Sequence, residues 1–172
     1  MTNENLKIAL VNEHDKITGF ASKQEVHEKG LLHRAFSIFI VNDQNEFLLQ
    51  KRASTKYHSP NLWTNACCSH LIANSDFEKY MHERLIDEMG FDCKLEFKFS
   101  FHYRIEFENG LIENEIDHAY LGKWNGLPII NPEEANDFRW ISKEILFSDL
   151  KQNPDNYTYW FKQAVVKIAN GF

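Results

Sequence analysis

LWTNACCSH, Leu62 to His70, is the stretch on which the reading of this chain turns. It opens like an apolar β-strand and closes on two thiols, a hydroxyl and an imidazole. Successive residues of an extended strand face opposite sides. Cys67 and Cys68 therefore meet different surroundings and are poorly placed to bridge each other. Metal binding, core packing and chemistry stay open for them. A zinc finger is disfavoured, because no second cysteine pair stands at zinc spacing. Cys68 and His70 share one face, the arrangement of a thiol with a base in reach.

Working outward, the longest helical signal follows directly. Ser75-Asp76-Phe77-Glu78 has the form of a capping box, and Gly90 stands where a helix would stop. Between them Phe77, Met81, Leu85 and Met89 recur every fourth residue and predict one buried stripe. Upstream, Ile8 to Asn12 reads as a strand and Ser22-Lys23-Gln24-Glu25 as the start of a short helix. Ala35 to Val41 reads as a continuous apolar strand, Asn42 to Glu46 as a turn, and Phe47 to Gln50 as the hairpin partner. Downstream come strands near Cys93 to Phe101 and Leu111 to Leu121, with Asn109-Gly110 turning between antiparallel partners. A strand at Phe138 to Trp140 and helices at Lys143 to Gln152 and Tyr157 to Ala169 complete the pattern, an α/β sandwich.

The totals fit one domain over residues 1–172, long enough to bury a core without staples. A formal net charge of −6 argues against a nucleic-acid partner, and any anionic substrate must be drawn by a local basic cluster. Three cysteines, a polar stretch from Met1 to Asp15 without signal-peptide character, and no long apolar run point to a reduced, cytoplasmic protein off the membrane.

Two constellations carry chemistry. His27, His33 and His70 lie in three segments, and Glu113-Asn114-Glu115 places two carboxylates on one strand face. Such carboxylates repel unless a cation sits between them, and three imidazoles with two carboxylates suit Mn²⁺, Mg²⁺ or Zn²⁺. Taken singly, each histidine reads better as a surface or capping residue, and spacing alone does not bring distant segments together. The basic residues Lys23, Lys51-Arg52, Lys56 and Arg84 could gather a diphosphate, for which bidentate Arg is preferred. Solubilising charge explains most lysines equally well. Trp160, within Tyr157-Thr158-Tyr159-Trp160-Phe161, offers either packing or a π-face for a cation.

At this point the chain resembles the type I isopentenyl diphosphate isomerases, a family with a Nudix-like α/β/α sandwich built on a mixed sheet. The likeness rests on Lys23 to His33, the Lys51-Arg52 to Lys56 loop, the Trp63-Thr64-Asn65-x-x-Cys68-x-His70 stretch, Glu113-Asn114-Glu115 about forty residues later, and Trp160. It implies Cys68 and Glu115 as the two acid/base groups, Tyr103 hydrogen-bonded near Glu115, and Trp160 over the reacting carbons. His27, His33, His70, Glu113 and Glu115 would be metal ligands, and Glu88 a ligand to a second Mg²⁺ brought by the diphosphate. Lys23, Arg52, Lys56 and Arg84 would hold that diphosphate. The implied partner is a small prenyl diphosphate, with neither nucleic acid nor membrane, in a monomer or weak homodimer. The implied role is to supply precursors for isoprenoid biosynthesis. The runner-up is a Nudix diphosphate hydrolase. Against it, Ser69, Ser75, Glu83-Arg84 and Asp87-Glu88 interrupt the hydrolase box at the matching places.

Overall fold

A computed structural model describes residues 6–171, so the first five residues of the polar N-terminal stretch lie outside the described part. The strands are β1 (Lys7–Val11), β2 (Ile17–Ser22), β3 (His33–Val41), β4 (Glu46–Arg52), β5 (Trp63–Thr64), β6 (Cys67–His70), β7 (Leu95–Glu106), β8 (Ile112–Lys123) and β9 (Ala135–Ser142). The helices are α1 (Lys23–Lys29), α2 (Phe77–Met89), α3 (Lys143–Gln152) and α4 (Tyr159–Ala169), with a 3₁₀ turn at Pro154–Asn156 before the last.

β3 organises one mixed sheet. It runs parallel to β8 along its whole length, from His33 opposite Glu115 to Val41 opposite Lys123. Its other side is shared between antiparallel β6, which pairs Ser37 with Cys68, and the β4 hairpin at its far end. A strand enclosed in this way has no wet face, which is why Phe36, Ile38, Phe39, Ile40 and Val41 are all buried. Met81, Leu85 and Met89 of α2 cover one side of the sheet together with Phe36, Ile38 and Cys67. Trp160, Phe161, Val165 and Ile168 of α4 cover the other side together with Phe39, Val41 and Leu146 of α3. Each such large side chain removed from water contributes about 1.5–3 kcal/mol.

The opening stretch is not one strand. It breaks at Asn65-Ala66 into β5, which pairs with β4, and β6, which pairs with β3. Asn65 sits in the break, fully buried; its side-chain amide donates to Ile38 O at 3.2 Å and Cys67 O at 2.6 Å. The alternation expected for the two thiols holds within β6. Cys67 lies in the α2 core, and Cys68 packs toward the α4 side.

Four other readings shift. The cap of α2 is Asp76, whose carboxylate accepts from Lys79 N at 3.0 Å, while the Ser75 hydroxyl donates to Ile72 O. α4 begins at Tyr159 rather than Tyr157, because Tyr157 and Thr158 are extended and Thr158 is its N-cap. β2 was not expected. It is a largely exposed edge strand with Gly19 in its middle, so it lacks the apolar alternation that marks a strand in sequence. The cap on α1 is as read for Ser22, which accepts from Glu25 N, but Glu25 turns away to pair with Lys29.

Asn65→Ala is expected to lower unfolding free energy by about 2–3 kcal/mol, since it removes two buried side-chain hydrogen bonds, to Ile38 O and Cys67 O. Urea denaturation followed by circular dichroism measures this.

Candidate active site

The strand ends and the loops beyond them enclose a cavity of about 120 Å³. Its wall brings together Cys68, Glu115, Tyr103, Trp160, Lys23, Arg52, Lys56, Arg84, His70, Glu113 and Glu88, each singled out in the sequence. Cys68 and Glu115 thus open into one and the same pocket.

Period two on β8 delivers Glu113 and Glu115 to the interior, 2% and 5% exposed, and sends Asn114 outward to donate to Gly30 O at 2.9 Å. Imidazoles surround them. His27 Nε2 is 3.1 Å and His33 Nε2 3.5 Å from the Glu113 carboxylate, and His33 Nε2 is also 3.3 Å from Glu115 Oε1. His70 Nε2 makes a 3.0 Å hydrogen bond with Glu115 Oε1. The Tyr103 hydroxyl donates to the other Glu115 oxygen at 2.7 Å.

A divalent cation fits this cluster. Ligand atoms of His27, His33, His70 and Glu113 all lie within 4.8 Å of one another, with Glu115 beside them. The Nδ1 atoms of His27 and His33 face the carbonyls of Lys23, at 2.6 Å, and Leu31, at 2.8 Å. A carbonyl only accepts, so each Nδ1 carries a hydrogen, which leaves Nε2 as the ring atom available to ligate a cation. Those two Nε2 atoms and Glu113 Oε2 are buried without a hydrogen-bond partner. The charge balance agrees. Burial opposes a charge on His33, yet Glu113 and Glu115 raise its pKa to about 10. Burial works against the Glu113 carboxylate too, and the surrounding histidines still hold it well below the usual carboxylate range. This is a place that calls for positive charge.

The basic side is separate. Arg52 is buried, with its guanidinium carbon 5.2 Å from the Trp160 ring centroid. Lys23 lies over Tyr57, and burial together with Lys56 lowers its pKa. Glu134, just before β9, holds Lys56 Nζ and lies 3.1 Å from Arg84 Nη2. Glu88 stands apart from the histidine cluster; its two oxygens accept from Arg84 at 2.7 Å and Gln50 at 2.8 Å. The hydrolase box fails physically as well as in letters. Glu83 is exposed and paired with Lys79, and Asp87 is exposed beside Arg84, leaving Glu88 as the only box carboxylate in the cavity.

Sequence reasoning passed over four wall residues. Asp117 continues the period-two face of β8 beyond Glu115, accepts from Ser37 Oγ at 2.7 Å, and burial pushes its pKa well up. That periodicity was the available signal. Gln50, Glu134 and His58 gave none, because their placement depends on loops and on the β4–β9 pairing.

The thiol is neutral. Burial pushes Cys68 up to about 12, against the pull of Arg52. All three cysteines are free.

The mixed sheet with helices on both faces, carrying a buried His/Glu centre and basic side chains in one cavity, is that of a Nudix-type α/β enzyme. The NUDIX domain model matches residues 31–161. The chain also resembles solved structures of this fold: DR0079 of Deinococcus radiodurans (17% identical, TM-score 0.70, covering 86% of this chain and 90% of that one) and a MutT NUDIX hydrolase of Burkholderia pseudomallei (18%, TM-score 0.60, 77% and 95%). Curated relatives are more alike: isopentenyl-diphosphate Delta-isomerase 2 of Photorhabdus laumondii is 47% identical, covering 95% of this chain and 90% of its own. The protein of the same name from Aromatoleum aromaticum is 43% identical, covering 95% and 87%. The chain belongs to the isopentenyl-diphosphate Delta-isomerase family. No helix among the described residues is long and apolar enough to cross a membrane.

Burial holds the Cys68 thiol well above the ordinary thiol range, so it keeps its proton at pH 8. Alkylation of Cys68 by iodoacetamide is therefore expected to be slow at pH 8 and to rise about tenfold per pH unit without levelling below pH 10. Peptide mass spectrometry reads it.

Proposed function

We propose that this chain interconverts isopentenyl diphosphate and dimethylallyl diphosphate, with Cys68 and Glu115 as the acid/base pair. The observation that carries the reading is the Cys68 thiol and the hydrogen-bonded Glu115 carboxylate opening into one cavity together with Lys23, Arg52, Lys56 and Arg84. The reaction moves a double bond without redox change. A proton added to the terminal alkene carbon leaves a tertiary cation, and loss of a proton from the carbon on the other side of the cation gives the product. One group must give a proton and another take one, each at its own carbon.

The surroundings suit both tasks. Tyr103 orients one Glu115 oxygen and leaves the other toward the histidines. Cys68 keeps its proton until an alkene carbon is held against it. Arg52, Lys56, Lys23 and Arg84 anchor the diphosphate, with Arg52 and Arg84 supplying planar forks for its oxygens. Glu88 is the carboxylate for a cation arriving with that diphosphate. Trp160 is 4% exposed and walls the pocket, so its π-face stabilises the carbocation by on the order of 2 kcal/mol, somewhat over tenfold in rate. The reaction requires that bound substrate close the cavity to water, which would otherwise trap the cation as an alcohol.

His27, His33, His70, Glu113 and Glu115 would hold a divalent metal, with Mg²⁺, Mn²⁺ and Zn²⁺ as candidates by donor type. When bound it supplies the positive charge that keeps two carboxylates together and tunes Glu115 as an acid or base. The working compartment proposed is the cytoplasm, the partner a prenyl diphosphate, and the state a monomer or weak homodimer. Hydrolysis is disfavoured by the dispersed carboxylates of α2.

Incubation with isopentenyl diphosphate and Mg²⁺ in D₂O is expected to yield dimethylallyl diphosphate deuterated in a methyl group, seen by NMR. Release of phosphate instead would make the protein a hydrolase. Cys68→Ala is expected to lose at least a thousandfold in turnover and Cys67→Ala to keep most of it. Equal loss in both would mean that the wrong thiol had been assigned.

A further inference from the structure

We infer that His58 is a positioning residue that couples the metal carboxylate Glu113 to the loop between β4 and β5, which carries Lys56. The inference rests on reading the His/Glu cluster as a metal centre. His58 is a fourth imidazole at that cluster, yet it differs from the other three. Its Nε2 lies 2.8 Å from Glu113 Oε1, the oxygen that also faces His27. The mutually close ligand atoms come from His27, His33, His70 and Glu113, so His58 approaches the centre from outside, through a ligand. Its Nδ1 meets the Ser59 hydroxyl at 3.3 Å, whereas backbone carbonyls fix the tautomers of His27 and His33. An Nε2–H directed at Glu113 Oε1 leaves Oε2 as the oxygen facing His33 and His70. This is how an outer group fixes the aim of a ligating carboxylate.

The ring is held for that purpose. It is 6% exposed, stacks on Phe107 with centroids 4.6 Å apart and planes 10° off parallel, and meets Trp160 edge-on at 5.8 Å. The loop beneath it is tied at several points. The His58 carbonyl accepts from Arg52 Nη2 at 3.3 Å, the Tyr57 carbonyl from Asn109 at 2.9 Å, and Asn61 N donates to Arg52 O at 3.1 Å. Ser59 and Asn61 stand at φ 49° and 60°, left-handed conformations that residues with a Cβ rarely adopt unless their surroundings impose them. One rigid loop therefore presents Lys56 to the anion side and His58 to the metal side. Fixing Glu113 by a cation fixes His58, and with it the loop; linkage makes the effect reciprocal.

The test uses the full chain and Mn²⁺ alone, with no substrate. His58→Phe keeps the stack on Phe107 and removes the N–H, while His58→Gln restores a donor. Chelator competition is expected to show Mn²⁺ binding weakened about tenfold or more in His58→Phe and partly recovered in His58→Gln. Each variant should still melt cooperatively in EDTA, His58→Phe below the wild type because buried Glu113 loses a donor, and Mn²⁺ should slow amide exchange over residues 54–62 in the wild type but not in His58→Phe. Wild-type Mn²⁺ affinity in a folded His58→Phe, or equal slowing of the loop in both proteins, would overturn the role of His58 while leaving the metal centre intact. A wild type that binds no Mn²⁺ would instead overturn the metal centre and this inference with it. If His58→Phe fails to fold, the wild-type exchange experiment decides the coupling by itself.

Discussion

Glu113 and Glu115 stand two residues apart on one face of β8, both almost out of water, and their mutual repulsion is the constraint around which the site is arranged. Removing a carboxylate from water is expensive, and removing two side by side is affordable only with compensating charge or hydrogen bonds. The protein surrounds them with imidazoles from α1, β3, β6 and the β4–β5 loop, and adds a tyrosine hydroxyl. Most of the sheet's unusual connectivity serves that convergence. The parallel pairing of β3 with β8 sets His33 opposite Glu115, and the antiparallel pairing of β6 with β3 sets His70 opposite Ala35, beside them.

The pocket is correspondingly polarised. One end holds the carboxylates Glu113 and Glu115, and the other holds Arg52, Lys56, Lys23 and Arg84. Glu134 already occupies part of the anion side by bonding to Lys56 and Arg84. On the function proposed above, the diphosphate head would lie on the basic side and the alkene carbons between the thiol and the carboxylate.

Much of this was visible in the amino-acid sequence, for definite reasons. The α2 stripe of Met81, Leu85 and Met89 and the stop at Gly90 are local features, and they formed as read. So did the opposed fates of Cys67 and Cys68, which follow from strand geometry alone. What could not be read is tertiary. The break at Asn65 depends on Ile38 O, twenty-seven residues away, receiving its amide. β2 exists because β1 offers it an edge, not because of its own pattern. His58 and Glu134 lie on connecting segments whose directions only the folded chain decides. The convergence of His27, His33 and His70 was legible only through likeness to a family, since no spacing rule joins three separate segments.

The cysteine doublet has a further consequence for how the chain threads. Sliding β6 past β3 by a single step would swap the two sulfurs, since alternate residues face alternate layers. Such a misthreaded copy would still present a thiol to the cavity, yet it would rotate His70 away from Glu115 and deny the centre one of its imidazoles. The sulfur is thus duplicated against a frame error while the nitrogen is not. Asn65, pinned to Ile38 O and Cys67 O at the head of the strand, is the latch that holds the frame.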